Sequence, residues 1–239
     1  MRSNSRTAAI VRRGSILLLL PLAALFMGEA PAPTNSAEDM NVCLVPLGKY
    51  DRKLLAATER GIGYVYGFPV EILDARSMPK EAYYKPRKRW RADKILDHLD
   101  VVHDAKRCKM TLGFTREDIS TSAHGHKDWG ILGLAEVGGE VGVVSSYRVH
   151  KKLTKPHTPA RRVVKVMNHE IGHILGLPHL KDQQHPAGGG CLMNDAEGSV
   201  LTTDRENGLL CPSTVSYVEK KFKRELPRHT SFDWSKVER

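Results

Sequence analysis

The chain lacks an apolar run long enough to cross a bilayer as a helix. Its longest, Ile16–Met27, is twelve residues where about 20 are needed. It has no phosphate-binding loop, no dinucleotide fingerprint and no Ser-His-Asp pattern, which leaves nucleotide-dependent chemistry and serine-type acyl transfer without a footing. No internal repeat and no low-complexity tract is present, so solenoid and linker-dominated architectures are excluded. Cysteine is scarce: four residues allow three pairings, and spacing alone does not choose among them. Acidic residues are the minority, 27 against 37 Lys and Arg. Four of those cations (Arg2, Arg6, Arg12, Arg13) and one anion (Glu29) lie in the first 30 residues, and without them the excess falls from ten to seven. That remainder bears on solubility and weak steering more than on nucleic-acid recognition.

What is present suits one globular domain: 239 residues, 41% hydrophobic and 27% charged. A basic stretch ending at Arg13, the apolar run and the small residues and prolines after it predict a signal peptide over residues 1–30. Pro31 would sit badly just behind a cut, so an uncleaved signal anchor stands beside the cleaved form. Both place the working domain outside the cytoplasm, exported to a periplasm or secreted. Residues 31–40 read as a polar linker, 41–226 as the folded domain and 227–239 as a loose tail.

Within the domain, Asn41–Leu47 predicts a first strand. Asp51 caps a helix through about Arg60, ended by glycines at 61, 63 and 67. Phe68–Leu73 reads as a second strand. The basic loop Lys85–Arg91 leads into a helix with Ala92, Ile95, Leu96 and Leu99 on one face. Cys108–Phe114, Ile131–Ala135 and Val141–Val144 are further strands, and the alternation implies an α/β layer with a largely parallel sheet. From Arg162 to Leu175, Val164, Met167, Ile171 and Ile174 form a core-facing helical stripe, while Val166, His169, His173 and Gly176 line another face. A last helix runs from about Thr214 to Leu226.

That second face carries the chemistry. His169-Glu170-Ile171-Gly172-His173 is an H-E-x-x-H motif, whose two histidines lie one helical turn apart and reach one ion. Gly176 supplies a left-handed residue that turns the chain back and brings His179 to the same ion. Three neutral imidazoles leave the fourth tetrahedral position open to water, as in a catalytic zinc site. Glu170 is placed to take that water's proton and pass it to a leaving amine. In shuffles of this composition H-E-x-x-H arises in roughly 3% of cases, and H-E-x-x-H-x-x-G-x-x-H in about one in ten thousand. The bland reading, a surface helix with solvated histidines, conflicts with the apolar residues interleaved at core spacing.

The run from His169 to His179 resembles the metzincin zinc motif, and Met193 in Cys-Leu-Met-Asn resembles the methionine of the Met-turn beneath the metal. Within the metzincins the chain is similar to the archaemetzincin (archaelysin) family. That family follows its third His with Cys, then Cys-x-Met, a spacer and Cys-x-x-Cys, four thiolates that hold a second, structural zinc. Here Cys191-Leu192-Met193 supplies the Cys-x-Met, and residues 194–210 separate it from Cys211. Gly133–Ala135 and Val143–Arg148 resemble the family's edge strand and the strand before the active-site helix. The resemblance covers roughly residues 41–226. It implies an α/β (α+β zincin-like) fold: a mixed, mostly parallel sheet with helices in an N-terminal lobe, the active-site helix at a cleft, and a small irregular C-terminal lobe with the Met-turn and a terminal helix.

Two departures matter. Leu180 and Thr214 stand where the family has cysteines, and a glycine-rich insertion lies between Leu180 and Cys191. One Zn2+ per chain is therefore expected. The family pattern brings Cys191 and Cys211 together, which implies a disulfide in an oxidising setting. A metzincin sheet would also place the strands opened by Cys43 and Cys108 side by side and parallel, implying a second bridge at matching register. Two buried free thiols remain the alternative.

The expected function is zinc-dependent hydrolysis of peptide bonds by a metal-bound water, with Glu170 as base, His169, His173 and His179 as ligands, and Gly176 and Met193 as support. The expected partner is a peptide or protein, with no nucleic acid and no membrane insertion beyond a signal anchor. A non-catalytic zinc-stabilised binding module and an amidase on a non-peptide substrate are the alternatives; the first has no use for Glu170. Lesser candidates are the His124-Gly125-His126 loop, His185 as a rival third ligand, Asp128 beside Trp129, and the Lys85–Arg91 run with Trp90, which reads as a surface loop. No tyrosine near Met193 offers itself as an electrophilic helper.

Overall fold

The structure, a computed structural model, describes residues 40–123, 125–151, 156–196 and 198–239. The expected leader and all of the expected linker except Met40 lie outside the described residues. In chain order the elements are β1 (Val42–Leu47), α1 (Arg52–Tyr66), β2 (Val70–Ile72), β3 (Tyr83–Tyr84), β4 (Arg89–Arg91), α2 (Ala92–Val102), β5 (Met110–Thr115), β6 (Ile119–Ala123), β7 (His126–Ile131), β8 (Gly133–Ala135), β9 (Val141–Ser145), α3 (Pro159–Ile174), α4 (Val200–Arg205) and α5 (Pro212–Phe222).

The main sheet has the order β2-β1-β5-β9-β8, parallel except for β8, which pairs antiparallel with β9. β1, β5 and β9 are buried along their whole length, as continuous apolar strands covered on both faces must be. Val42, Leu44, Met110, Leu112 and Phe114 pack with α1 and α3 on one face, and Val45, Leu47 and Val143 pack with α2 on the other. This is the mixed, mostly parallel α/β layer that the alternation of elements implies.

Several boundaries differ from expectation. α1 does not stop at Gly61 or Gly63 but runs to Tyr66 and is capped by Gly67 at φ 66°. At Gly61 it presses against α3: a Cβ there would lie 2.5 Å from Val164 Cγ1, so this glycine permits a close helix contact rather than ending a helix. Lys85–Arg91 is not simply a loop, since β4 joins a second sheet of order β3-β4-β6-β7 that the sequence reading did not foresee. α5 starts at Pro212 and ends at Phe222, where Lys223 takes a left-handed φ of 50°.

The expectation of a loose tail is also corrected. Val237 is fully buried against Ala57 and Val164. Arg60 donates from Nε and Nη2 to the Val237 carbonyl at 3.0 and 2.8 Å, Arg161 pairs with Glu238 at 2.9 Å, and Tyr64 stacks on His229 at 3.9 Å. The tail is fixed by α1 and α3, elements distant from it in sequence.

Both disulfides are present, Cys43–Cys108 and Cys191–Cys211, with Cα atoms 5.8 and 5.4 Å apart. β1 and β5 are parallel neighbours, but Cys43 stands opposite Thr111 rather than opposite Cys108. The bridge instead reaches the turn before β5, where the N–H groups of Arg107 and Cys108 both donate to the Asp104 carbonyl.

Candidate active site

α3 starts cleanly, with Thr158 Oγ1 accepting from the Arg161 N–H at 3.2 Å and Pro159 in the first turn. Its apolar stripe anchors it under the sheet. Arg162, 1% exposed, clamps its first turn to the C-terminal part of the chain through Asp204, whose oxygens lie 2.7 and 2.5 Å from the guanidinium.

The helix ends at Ile174, with Leu175 as its cap residue, and Gly176 at φ 96° turns the chain back. The Gly176 N–H donates to the His173 carbonyl at 2.8 Å and that of Leu177 to the Gly172 carbonyl at 2.9 Å. This turn brings His179 to the helix face. His179 Nε2 lies 3.0 Å from His173 Nε2 and 3.1 Å from His169 Nε2. Nδ1 of His169 meets the Leu192 carbonyl and Nδ1 of His173 the Leu177 carbonyl, both at 2.8 Å. A carbonyl only accepts, so both Nδ1 atoms carry the proton and both Nε2 lone pairs face the common centre.

These residues fit a metal ion. Ligand nitrogens about 2.0–2.1 Å from one tetrahedral zinc stand about 3.3–3.4 Å apart, within a few tenths of an ångström of the observed separations. Converging lone pairs repel unless a cation lies between them. Burial, reinforced by the neighbouring histidines and opposed by the Leu192 carbonyl, lowers the pKa of His169 to about 3. Burial likewise lowers that of His173, so both imidazoles stay neutral, as ligands must.

Met193, fully buried, lies under the helix. A Cβ on Gly172 would come 2.3 Å from Met193 Sδ, so the motif's glycine is where the methionine meets the helix backbone. Glu170 turns the other way, towards β8. Burial raises its carboxyl to about 8, opposed by a hydrogen bond from the Ala135 backbone. A Cβ on Gly133 would lie 2.4 Å from Glu170 Oε1, so β8 carries a glycine where the carboxylate needs room.

The histidines and Glu170 open onto a cleft of about 380 Å³. Its walls are β8, the face of α3 from Lys165 to His173, Asp195, Ala196, Gly198, Thr203 and Glu206, and Trp129 and Ile131 of β7.

The model of metallo-peptidase family M12 matches residues 69–210, more than half of the chain. The chain belongs to that family. It is similar to the archaemetzincin of Haloarcula marismortui, 26% identical over 73% of this chain and 96% of the relative. The crystal structure of the archaemetzincin from Methanopyrus kandleri matches with a TM-score of 0.64 at 28% identity, covering 79% of this chain and 98% of that one. That of Archaeoglobus fulgidus, solved with malonate, gives 0.58 at 26% identity, covering 73% and 98%. This M12 member is a zinc metallopeptidase with a zincin-like α/β fold.

The other sequence candidates fall elsewhere in this peptidase. His126 stacks on Trp129, and its loop partner His124 lies outside the described residues. His185 Nδ1 accepts from the Ala187 N–H in a separate groove, and the histidine cluster that could hold a metal contains His179 instead. Asp128 pairs with Arg89 at 2.8 Å, and Arg89 and Arg148 both grip Asp118, so part of the basic run holds β4, β6 and β7 together. Sequence reasoning missed the role of Gly133, the two carbonyls that orient the imidazoles, and Asp195, whose Oδ2 lies 3.4 Å from His179 Nδ1. It also missed Lys165 and Glu206. Lys165 was within reach, since it stands one turn before His169 on the same face; Glu206 arrives only through tertiary folding.

Proposed function

We propose that the chain hydrolyses peptide bonds with one zinc held by His169, His173 and His179 and with Glu170 as general base. The observation that carries this reading is the pairing of three converging Nε2 atoms with a buried carboxylate one residue from a ligand, aimed into the same cleft. Zinc, when bound, supplies a Lewis acid that brings a water's pKa to about 7 and polarises a carbonyl. Glu170 takes a proton from the attacking water on its carboxylate and delivers it to the nitrogen of the leaving amine. A metal cation nearby favours the ionised carboxylate, countering the burial that raises its pKa.

Among the described residues β8 pairs with β9 alone in the main sheet, and Gly133–Ala135 line the cleft. An extended peptide added there would be aligned by main-chain hydrogen bonds, which favours peptides over other amides. We also propose that the protein is exported; two disulfides support an oxidising compartment. The test is a mixed peptide library incubated with intact, chelated and zinc-restored protein. Cleavage lost on chelation and regained with zinc is expected, and a library left whole by zinc-loaded protein would contradict the reading.

A further inference from the structure

At the α3 end of the cleft, one turn before His169, two charged side chains are almost wholly enclosed: Lys165 is 4% and Glu206 5% exposed. Both line the cavity. Their situations differ. The Lys165 ammonium donates to the carbonyls of Thr203 at 2.9 Å and Glu206 at 2.5 Å. The Glu206 carboxylate has no hydrogen bond and no ion pair within 4.0 Å among the described residues. The unmet valence at this end of the cleft is thus an acceptor. A carboxylate enclosed without a donor is costly, and burial raises the pKa of Glu206 despite the attraction of Lys165.

The lining of the same cavity also includes Ala123, Trp129, Ile131, Val166 and Ala196, with Asp195 as a further carboxylate. A cavity that combines apolar side chains with an acceptor lacking a donor matches an aliphatic stem tipped with hydrogen-bond donors. We infer that Glu206 is a specificity-determining residue that selects substrates with a lysine or arginine side chain flanking the scissile bond. This rests on the peptidase reading above. Lys165 fixes the turn that carries Glu206 through the two carbonyls, and so acts as a positioning residue.

The test uses matched peptides with Lys, Arg, norleucine or Glu flanking one cleavable bond. Zinc-loaded wild type is expected to prefer Lys and Arg over norleucine by about tenfold or more in kcat/KM, and Glu206→Gln to collapse that ratio. Binding is read separately by calorimetry on the Glu170→Gln protein, where adding Glu206→Gln is expected to weaken the Lys peptide about tenfold. The thermal midpoint of Glu206→Gln is expected to change little, because Lys165 keeps its contacts to the Thr203 and Glu206 carbonyls. Turnover without a basic preference overturns this inference and leaves the chemistry standing. A basic preference in binding without turnover by wild type supports it and removes the chemistry. A lowered midpoint with uniform loss on all peptides shows Glu206 to be structural and overturns the inference.

Discussion

Glu170 depends on a residue without a side chain. Gly133 leaves the space its carboxylate fills, so Gly133→Ala should displace the base while the imidazoles stay put. Zinc content is expected to be unchanged and kcat to fall about 100-fold, the scale of an ångström's misplacement. Metal analysis alongside kinetics checks this; loss of zinc would mean that β8 supports the ligands as well. His179→Ala should lower zinc affinity itself, because His185 is held in another groove and does not replace it. Unchanged affinity in a competition titration would contradict the assigned ligand set. The buried imidazoles also give the chelated protein a distinct acid response. With a folded pKa of about 3 for His169, the folded state takes up its proton less readily than the unfolded one. Its contribution to stability is therefore full above about pH 6.5 and is lost as pH falls towards 3, by about 2 kcal/mol at pH 5. Glu170, raised to about 8, acts in the opposite sense. The His169 part is accordingly the difference between wild type and His169→Gln in denaturant unfolding at pH 7 and 5; no difference would contradict it.

Among the elements, α1 and α3 show what was legible in sequence. The stretch from Thr158 to His179 carries the cap, the period and the histidine spacing of α3 and its turn, so the helix and the candidate ligand cluster could both be read locally. The parallel neighbours β1 and β5 were legible from their apolar runs. Their register was not, because it is fixed by the turn at Asp104 rather than by the cysteines. The passage of α1 through two glycines was hidden for a related reason: Gly61 answers to Val164, about a hundred positions away in the chain, whereas a Cβ at Gly63 would meet nothing within 4 Å. The two glycines should therefore respond oppositely to alanine. Gly61→Ala is expected to destabilise by about 1–3 kcal/mol through overpacking, and Gly63→Ala to stabilise by about 0.5–1 kcal/mol through lost chain freedom. Denaturant midpoints decide it; the same sign at both would show that the helix contact at Gly61 is not tight. The β6–β7 hairpin is local and went unread because Ser120–Ser122 and His126–Asp128 are polar, whereas the packed tail went unread because the Arg161–Glu238 pair and the Tyr64–His229 stack join residues far apart in sequence.

At the scale of the whole molecule, the chain keeps the catalytic half of the archaemetzincin pattern and departs from its structural-metal half. Leu180 and Thr214 offer no thiolate, and Cys191 and Cys211 are joined to each other. Elemental analysis is expected to find one zinc per chain; the other candidate ligand group among the described residues, Cys43, Glu71 and Cys108, has both its sulfurs joined in a disulfide, and two tightly held ions would contradict this. Each disulfide should add about 2–4 kcal/mol, the one spanning 65 residues more than the one spanning 20. The central claim is that a zinc held by three histidines and a proton-shuttling Glu170 together cut peptide bonds. The measurement that tests it most directly is kcat/KM on a verified peptide for zinc-loaded Glu170→Gln against zinc-loaded wild type. The account predicts equal zinc content, an equal thermal midpoint and a loss of about 10²–10⁴-fold or more in the variant. Equal turnover by the two proteins would contradict it.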